Sequence, residues 1–233
     1  MRATLISCAV VAALSNCQGC EKKRAPGAAA VVAPAGQKTA PIDEFWSFVS
    51  SSEAALAEGL LENDPSHAMG ALTQALQKVD PLLVLELALD RTPNAKQTIV
   101  ISADGNVAKF ALVTAAVTAA PATLQRFKAR AFRPRREGDV SIEMQGHKIA
   151  LSDFFYRELG RSEGKIDLQI MVKGLTSANE QQMLRTANVL LDGALGEYDA
   201  ATKLGEVQVV PLLDEVPLDA RSLSELSRAV DAL

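Results

Sequence analysis

The sequence predicts an α+β fold, a two-layer sandwich with a mostly antiparallel sheet and its helices on one face. Three observations carry that reading. The order strand, strand, helix, strand occurs twice, over residues 82–132 and 140–212. Residues 125–132 alternate at period two, with Arg126, Lys128 and Arg130 on one side and Phe127, Ala129 and Ala131 on the other, as a strand with one wet face does. Apolar stripes at helical spacing stand on both sides of the strand runs. Two β-β-α-β units pairing edge to edge would give one sheet covered by helices, and the repeated order reads as an internal duplication.

The elements follow in chain order. Phe45, Trp46, Phe48, Val49, Leu56 and Leu60 mark one apolar helix face, after which Asn63-Asp64-Pro65 breaks and restarts the chain. Asp64 suits an N-cap and Pro65 a first helical position, and Met69, Leu72, Leu76 and Val79 form the next stripe. Residues 82–89 and 97–102 read as strands joined by a turn-rich loop, and Ala103-Asp104-Gly105 turns into an alanine-rich helix over 107–120. After the alternating strand, Pro134 is a stop. Residues 140–145 and 165–172 read as strands flanking an aromatic segment, Asp153-Phe154-Phe155-Tyr156. Ser177 and Glu180 have capping-box spacing before a helix lined by Met183, Ala187, Leu190, Leu191 and Leu195 and ended by Gly196. Residues 206–212 give a returning strand, and Leu223, Leu226 and Val230 a short closing helix.

Composition bounds the class. With 48% apolar and 22% charged residues, the chain of 233 residues is ordinary for a globular protein and too apolar to stay unfolded. Acidic residues number 28 against 24 basic, a net charge of −4, so nothing draws the chain as a whole to nucleic acid and none is expected as a partner. Any anion site must be local.

The first residues have a different character. Met1-Arg2, an apolar run over 3–14 and Ser15-Asn16-Cys17 have the charged start and short apolar stretch of a secretory signal, too short for a permanent membrane span. Leu14-Ser15-Asn16-Cys17 resembles the bacterial lipobox, whose cysteine carries the lipid, with Asn16 where Gly, Ala or Ser is usual. Leu5-Ile6-Ser7-Cys8 fits the same pattern but leaves too short an apolar run, and Cys20 is a second candidate with Cys17 where leucine is wanted. The expectation is a signal peptide over 1–16, a lipidated tether over 17–41 with the lipid (palmitate) on Cys17, and one domain over 42–233. Such a chain is exported and membrane-anchored, with its domain in the periplasm or at the cell surface. Gln18, in place of Asp, favours the outer membrane over the inner. Lys22-Lys23-Arg24 either approach lipid headgroups or are solvated tether charges. All three cysteines lie in the first twenty residues, and Cys17-Gln18-Gly19-Cys20 precedes a tether rather than a helix, which argues against redox or metal chemistry.

Few residues invite catalysis. The only histidines, His67 and His147, sit in a predicted first helical turn and a predicted hairpin turn, without an evident partner. Nucleophile-elbow, phosphate-loop, zinc and calcium motifs are absent from the sequence, so no cofactor or metal is expected. Asp192, Glu197 and Asp199 cluster at a helix end, where carboxylates are electrostatically unfavourable. They read either as a solvated loop or as a ligand site. The densest charge feature is Arg126, Lys128, Arg130, Arg133, Arg135 and Arg136, which either protects a sheet edge from aggregation or binds an anionic partner.

Phe45-Trp46, Ile101-Ser102-Ala103-Asp104-Gly105, Ala131-Phe132-Arg133-Pro134-Arg135, Leu190-Leu191-Asp192 and Leu195-Gly196-Glu197-Tyr198-Asp199 together resemble an uncharacterised bacterial protein family of unknown function. The resemblance implies a shared fold and no activity. The expected function is that of a non-catalytic envelope lipoprotein binding a protein or anionic ligand through the face from Arg126 to Arg136. An enzyme, hydrolase-like, with an acidic site near Glu197 and Asp199 is one alternative, and an inhibitor or immunity-type protein is another.

Overall fold

The computed structural model describes residues 40–61, 65–90, 92, 94–136, 138, 140–144, 147–213 and 215–233. The leader with Cys17, the proposed Asp64 cap and the turn before His147 lie outside them.

The described residues belong to one compact unit with two hydrophobic cores. The first is built by α1 (Ala40–Ser51), α2 (Glu53–Leu61), α3 (Ser66–Gln77), β1 (Val84–Ala88), β2 (Gln97–Ser102), α4 (Phe110–Thr118) and β3 (Phe127–Ala131). The stripe expected on the first helix is buried, Phe45, Trp46 and Val49 facing inward, and Trp46 Nε1 donates to Ala116 O at 2.7 Å, tying α1 to α4. Burying an indole requires such an acceptor. Glu53 at the start of α2 accepts the backbone N–H groups of Arg126 at 2.6 Å and Phe127 at 3.3 Å, which sets where β3 begins.

The second core follows a small hairpin, β4 (Ser141–Met144) and β5 (His147–Ala150). It comprises β6 (Phe154–Ser162), β7 (Lys165–Val172), α5 (Glu180–Leu195), α6 (Glu197–Lys203), β8 (Leu204–Pro211), β9 (Arg221–Ser222) and α7 (Leu226–Asp231). The α+β class is as the sequence predicts.

Both halves share one topology. β1 and β2 pair antiparallel and β2 pairs parallel with β3 after the α4 crossover; β6 and β7 pair antiparallel and β7 pairs parallel with β8 after α5 and α6. The strand that opens the second unit is β6, however, and not the 140–145 run, which forms the separate β4–β5 hairpin. The aromatic segment is thus the buried start of a strand. The expected union into one sheet does not occur: the orders are β1-β2-β3, β4-β5 and β8-β7-β6-β9. The expected capping box is also replaced. Asn179 precedes α5 and uses its side chain on the loop, accepting from Thr176 N at 2.7 Å and donating to Gly174 O at 3.0 Å, so Ser177 stays outside the helix.

Candidate functional site

The two halves meet at a buried carboxylate. Glu197, expected in a solvated loop, is 0% exposed and is the first residue of α6. Its Oε1 accepts the N–H of Ala103 at 2.8 Å and of Gly105 at 3.3 Å, and its Oε2 accepts the N–H of Arg133 at 3.1 Å. The Glu197 N–H donates in turn to Arg133 O at 3.0 Å. A carboxylate is tolerated in a protein interior when charge-assisted hydrogen bonds replace its hydration, as these backbone donors do.

Local backbone geometry makes the arrangement possible. Gly196 has φ 77°, and a Cβ there would fall 2.9 Å from Arg135 N and 3.2 Å from Arg133 O. Asp104 (φ 52°) and Phe132 (φ 64°) also lie in the left-handed region, an uncommon place for residues with a side chain. The turn at Phe132 ends the alternation of β3 and directs the Arg133 N–H at Glu197. The Phe132 ring packs against Phe110 and Tyr198, with centroids 4.5 and 5.4 Å away, which holds the turn by aromatic contact.

Beside this junction lies a cleft of about 480 Å³. Val100 and Ala88 of the first sheet, Val189 and Asp192 of α5, and Glu86 and Arg133 line it. The Arg133 guanidinium bridges Glu86, Asp104 (2.8 Å) and Asp192 (3.7 Å). Burial works against its charge, but the hydrogen bonds to Glu86 and Asp104 outweigh that and raise its pKa. Burial also raises the pKa of Asp192; Arg133 pulls it down, while Glu197, Asp104 and Glu86 push it further up.

The basic residues divide into two groups. Arg133 is taken up as described, and Arg135 holds both oxygens of Asp231 (2.8 and 2.9 Å) and reaches Asp199 at 3.3 Å. Asp199 also meets Lys203 at 3.2 Å. Arg126 is exposed and 4.0 Å from Glu58. Lys128 and Arg130 project from the exposed side of β3, an edge strand, and neither forms an ion pair with a described carboxylate. Arg136 is exposed as well and lines the cleft, its backbone N–H donating to Gly193 O at 2.8 Å. His67 is exposed in the first turn of α3, and His147 opens β5. Among the described residues no group of His, Cys, Asp or Glu could hold a metal ion, and no helix is long and apolar enough to cross a membrane.

Sequence reasoning singled out 101–105, 131–135 and 190–199 as separate stretches, and all three converge on Glu197. It missed that convergence, because the three backbone donors lie 94, 92 and 64 residues from Glu197. Comparison with protein-family models, with curated proteins and with solved structures returned no match.

Proposed function

We propose that the chain is an envelope lipoprotein, lipidated at Cys17 (or Cys20), whose folded part is a non-catalytic binding module for an anionic partner. The contact surface is the outer side of β3, Lys128 and Arg130 with Arg126 beside them. One observation carries the reading: within a run of six cations, Arg133 and Arg135 are committed to carboxylates, while Lys128 and Arg130 stand exposed and form no ion pair with a described carboxylate, Lys128 only attracting Asp90 at longer range. Lysine and arginine on an edge strand also discourage sheet-to-sheet association, and the same two side chains serve both ends.

The test is retention of the full chain on a polyanion such as heparin, across a salt gradient. Lys128→Glu with Arg130→Glu should remove the retention and leave the unfolding midpoint unchanged. Retention equal to that of the unaltered chain would overturn the proposal. Labelling cells with palmitate, with Cys17→Ser and Cys20→Ser beside the native chain, tests the anchor and which cysteine carries it.

A second reading, an acidic enzyme site, is favoured by the cleft alone. It would centre on Asp192, since Glu197 is sealed from solvent with both oxygens committed to backbone donors. Raised pKa values in clefts are a mark of functional carboxylates, but also of structural ion-pair networks such as the one Arg133 holds.

A further inference from the structure

A second pocket, away from the β3 face, lies at the edge of β6 beyond the end of β9. It has a volume of about 310 Å³ and is lined by Tyr156, Arg157, Glu158, Arg161, Asp219 and Arg221. β9 pairs with β6 only at Phe155 and Tyr156, so Tyr156 and Arg221 face each other across the strands, and the edge of β6 is free of β9 from Arg157 onward. The register of β6 against β7 shifts between Glu158 and Gly160. In a regular strand, residues three apart point to opposite faces; the extra residue, Leu159, brings Arg161 back beside Glu158. There Arg161 makes a two-point ion pair with it, at 2.8 and 2.9 Å.

The polar groups in this pocket do not balance. Glu158 is committed to Arg161, and Asp219 meets Arg157 Nη1 at 3.5 Å. Arg221 forms no ion pair with a described carboxylate. Tyr156 is 1% exposed and no acceptor is in place for its hydroxyl proton; the buried Nε–H of Arg157 has none either. Burial raises the pKa of the Tyr156 phenol, against a hydrogen bond and charge from Arg221 that lower it; a guanidinium can only donate, so the phenol proton is left without an acceptor. Buried donors without acceptors are rare in native proteins and destabilising where they occur. Both groups here are donors, both line one pocket, and a third cation stands at its rim. The missing partner is therefore an acceptor, and the guanidinium groups outnumber the carboxylates.

We propose that this pocket binds a small tetrahedral oxyanion, a phosphate group, with Tyr156 and Arg157 donating from the buried side and Arg221 closing it from the rim. Guanidinium groups with an added hydroxyl suit an acceptor with more oxygens than a carboxylate has. The volume is at the small end for ligand pockets, which fits a compact anion rather than a large organic ligand. Free phosphate and a phosphate monoester share this chemistry.

The experiment is calorimetric titration of the full chain, purified in detergent, with inorganic phosphate and separately with glycerol phosphate, against chloride at matched ionic strength. Saturable binding of either one supports the site, and a preference for the ester assigns the source to esterified phosphate. Tyr156→Phe and Arg221→Gln should each weaken binding roughly tenfold or more, the usual loss for one hydrogen bond to a charged group. The Lys128→Glu, Arg130→Glu double variant should bind as the native chain does, which separates this pocket from the β3 face. Without phosphate, Tyr156→Phe should unfold at the same urea concentration or a higher one, because it removes a hydroxyl whose proton has no acceptor. Arg221 is exposed, so its replacement reports on binding even if the tyrosine variant folds poorly. No binding above the chloride control, or unaltered affinity in both variants, would overturn the proposal.

Discussion

Glu197 and Arg133 hold each other through reciprocal backbone and side-chain bonds: Glu197 Oε2 accepts the Arg133 N–H at 3.1 Å, and Arg133 O accepts the Glu197 N–H at 3.0 Å. The first residue of α6 is thereby joined to the end of β3, and a turn from the other core, at Ala103 and Gly105, shares the same carboxylate. Glu197→Ala leaves all three donors without an acceptor and should lower stability by about 3 kcal/mol or more in urea denaturation. Glu197→Gln keeps one acceptor oxygen and should lose less.

Two glycines near this carboxylate should differ in sensitivity. Gly105 and Gly196 have φ of 76° and 77°, but a Cβ at Gly105 meets nothing within 4 Å, whereas at Gly196 it meets Arg135 N at 2.9 Å. Gly105→Ala should cost about 1 kcal/mol, from the backbone conformation alone. Gly196→Ala should cost roughly 3 kcal/mol, because Arg133 to Arg135 must also move. Equal midpoints for the two variants would contradict the packing described.

Asp192 gives the chain a pH dependence of opposite sign to the usual carboxylate. Its pKa lies above the ordinary aspartate value of 3.8 in the folded state, so the folded chain holds the proton longer and stability falls as pH rises through that range. Asp192→Asn should therefore match the native chain below pH 3.8 and be more stable than it at pH 7. Asp80 runs the other way: its hydrogen bond to Lys109 lowers its pKa, and the stability it contributes is lost as pH falls through that lowered value. Denaturation curves of Asp192→Asn and Asp80→Asn between pH 3 and 8 separate the two.

Within the cationic run, position decides consequence. Arg133→Ala removes the partner of Glu86, Asp104 and Asp192 and should cost roughly 1–2 kcal/mol, a modest figure because Glu86 and Asp104 also reach solvent. Lys128→Ala and Arg130→Ala should change stability by less than about 0.5 kcal/mol. Thermal unfolding of the three variants checks the division.

Regular elements were legible where apolar spacing is local. β7 spans the predicted residues 165–172, and the stripes of α1 and α5 are the buried ones. β6 was not read as a strand, because only its first residues are apolar; beyond Tyr156 it is a charged edge whose phase shifts at the bulge. The arginine run misled in a related way. Its alternation is real as far as Ala131, but the positive φ of Phe132 breaks the phase, so that Arg133 bridges Glu86 and Asp104 of its own half to Asp192 and Arg135 pairs only with the other half. Glu197 read as a loop residue because nothing near it in sequence reveals donors brought by β2, the turn after it and β3. Local pattern reports which face an element buries, not which distant backbone will meet a given side chain.

The joining of both halves around Glu197 is tested most directly by native-state hydrogen exchange at the Ala103, Gly105 and Arg133 amides. All three should be among the slowest to exchange in the chain, and Glu197→Gln should accelerate them more than it accelerates the amides of the β6–β7 pairing. Rapid exchange of these three amides in the native chain, at rates typical of exposed turns, would contradict the account.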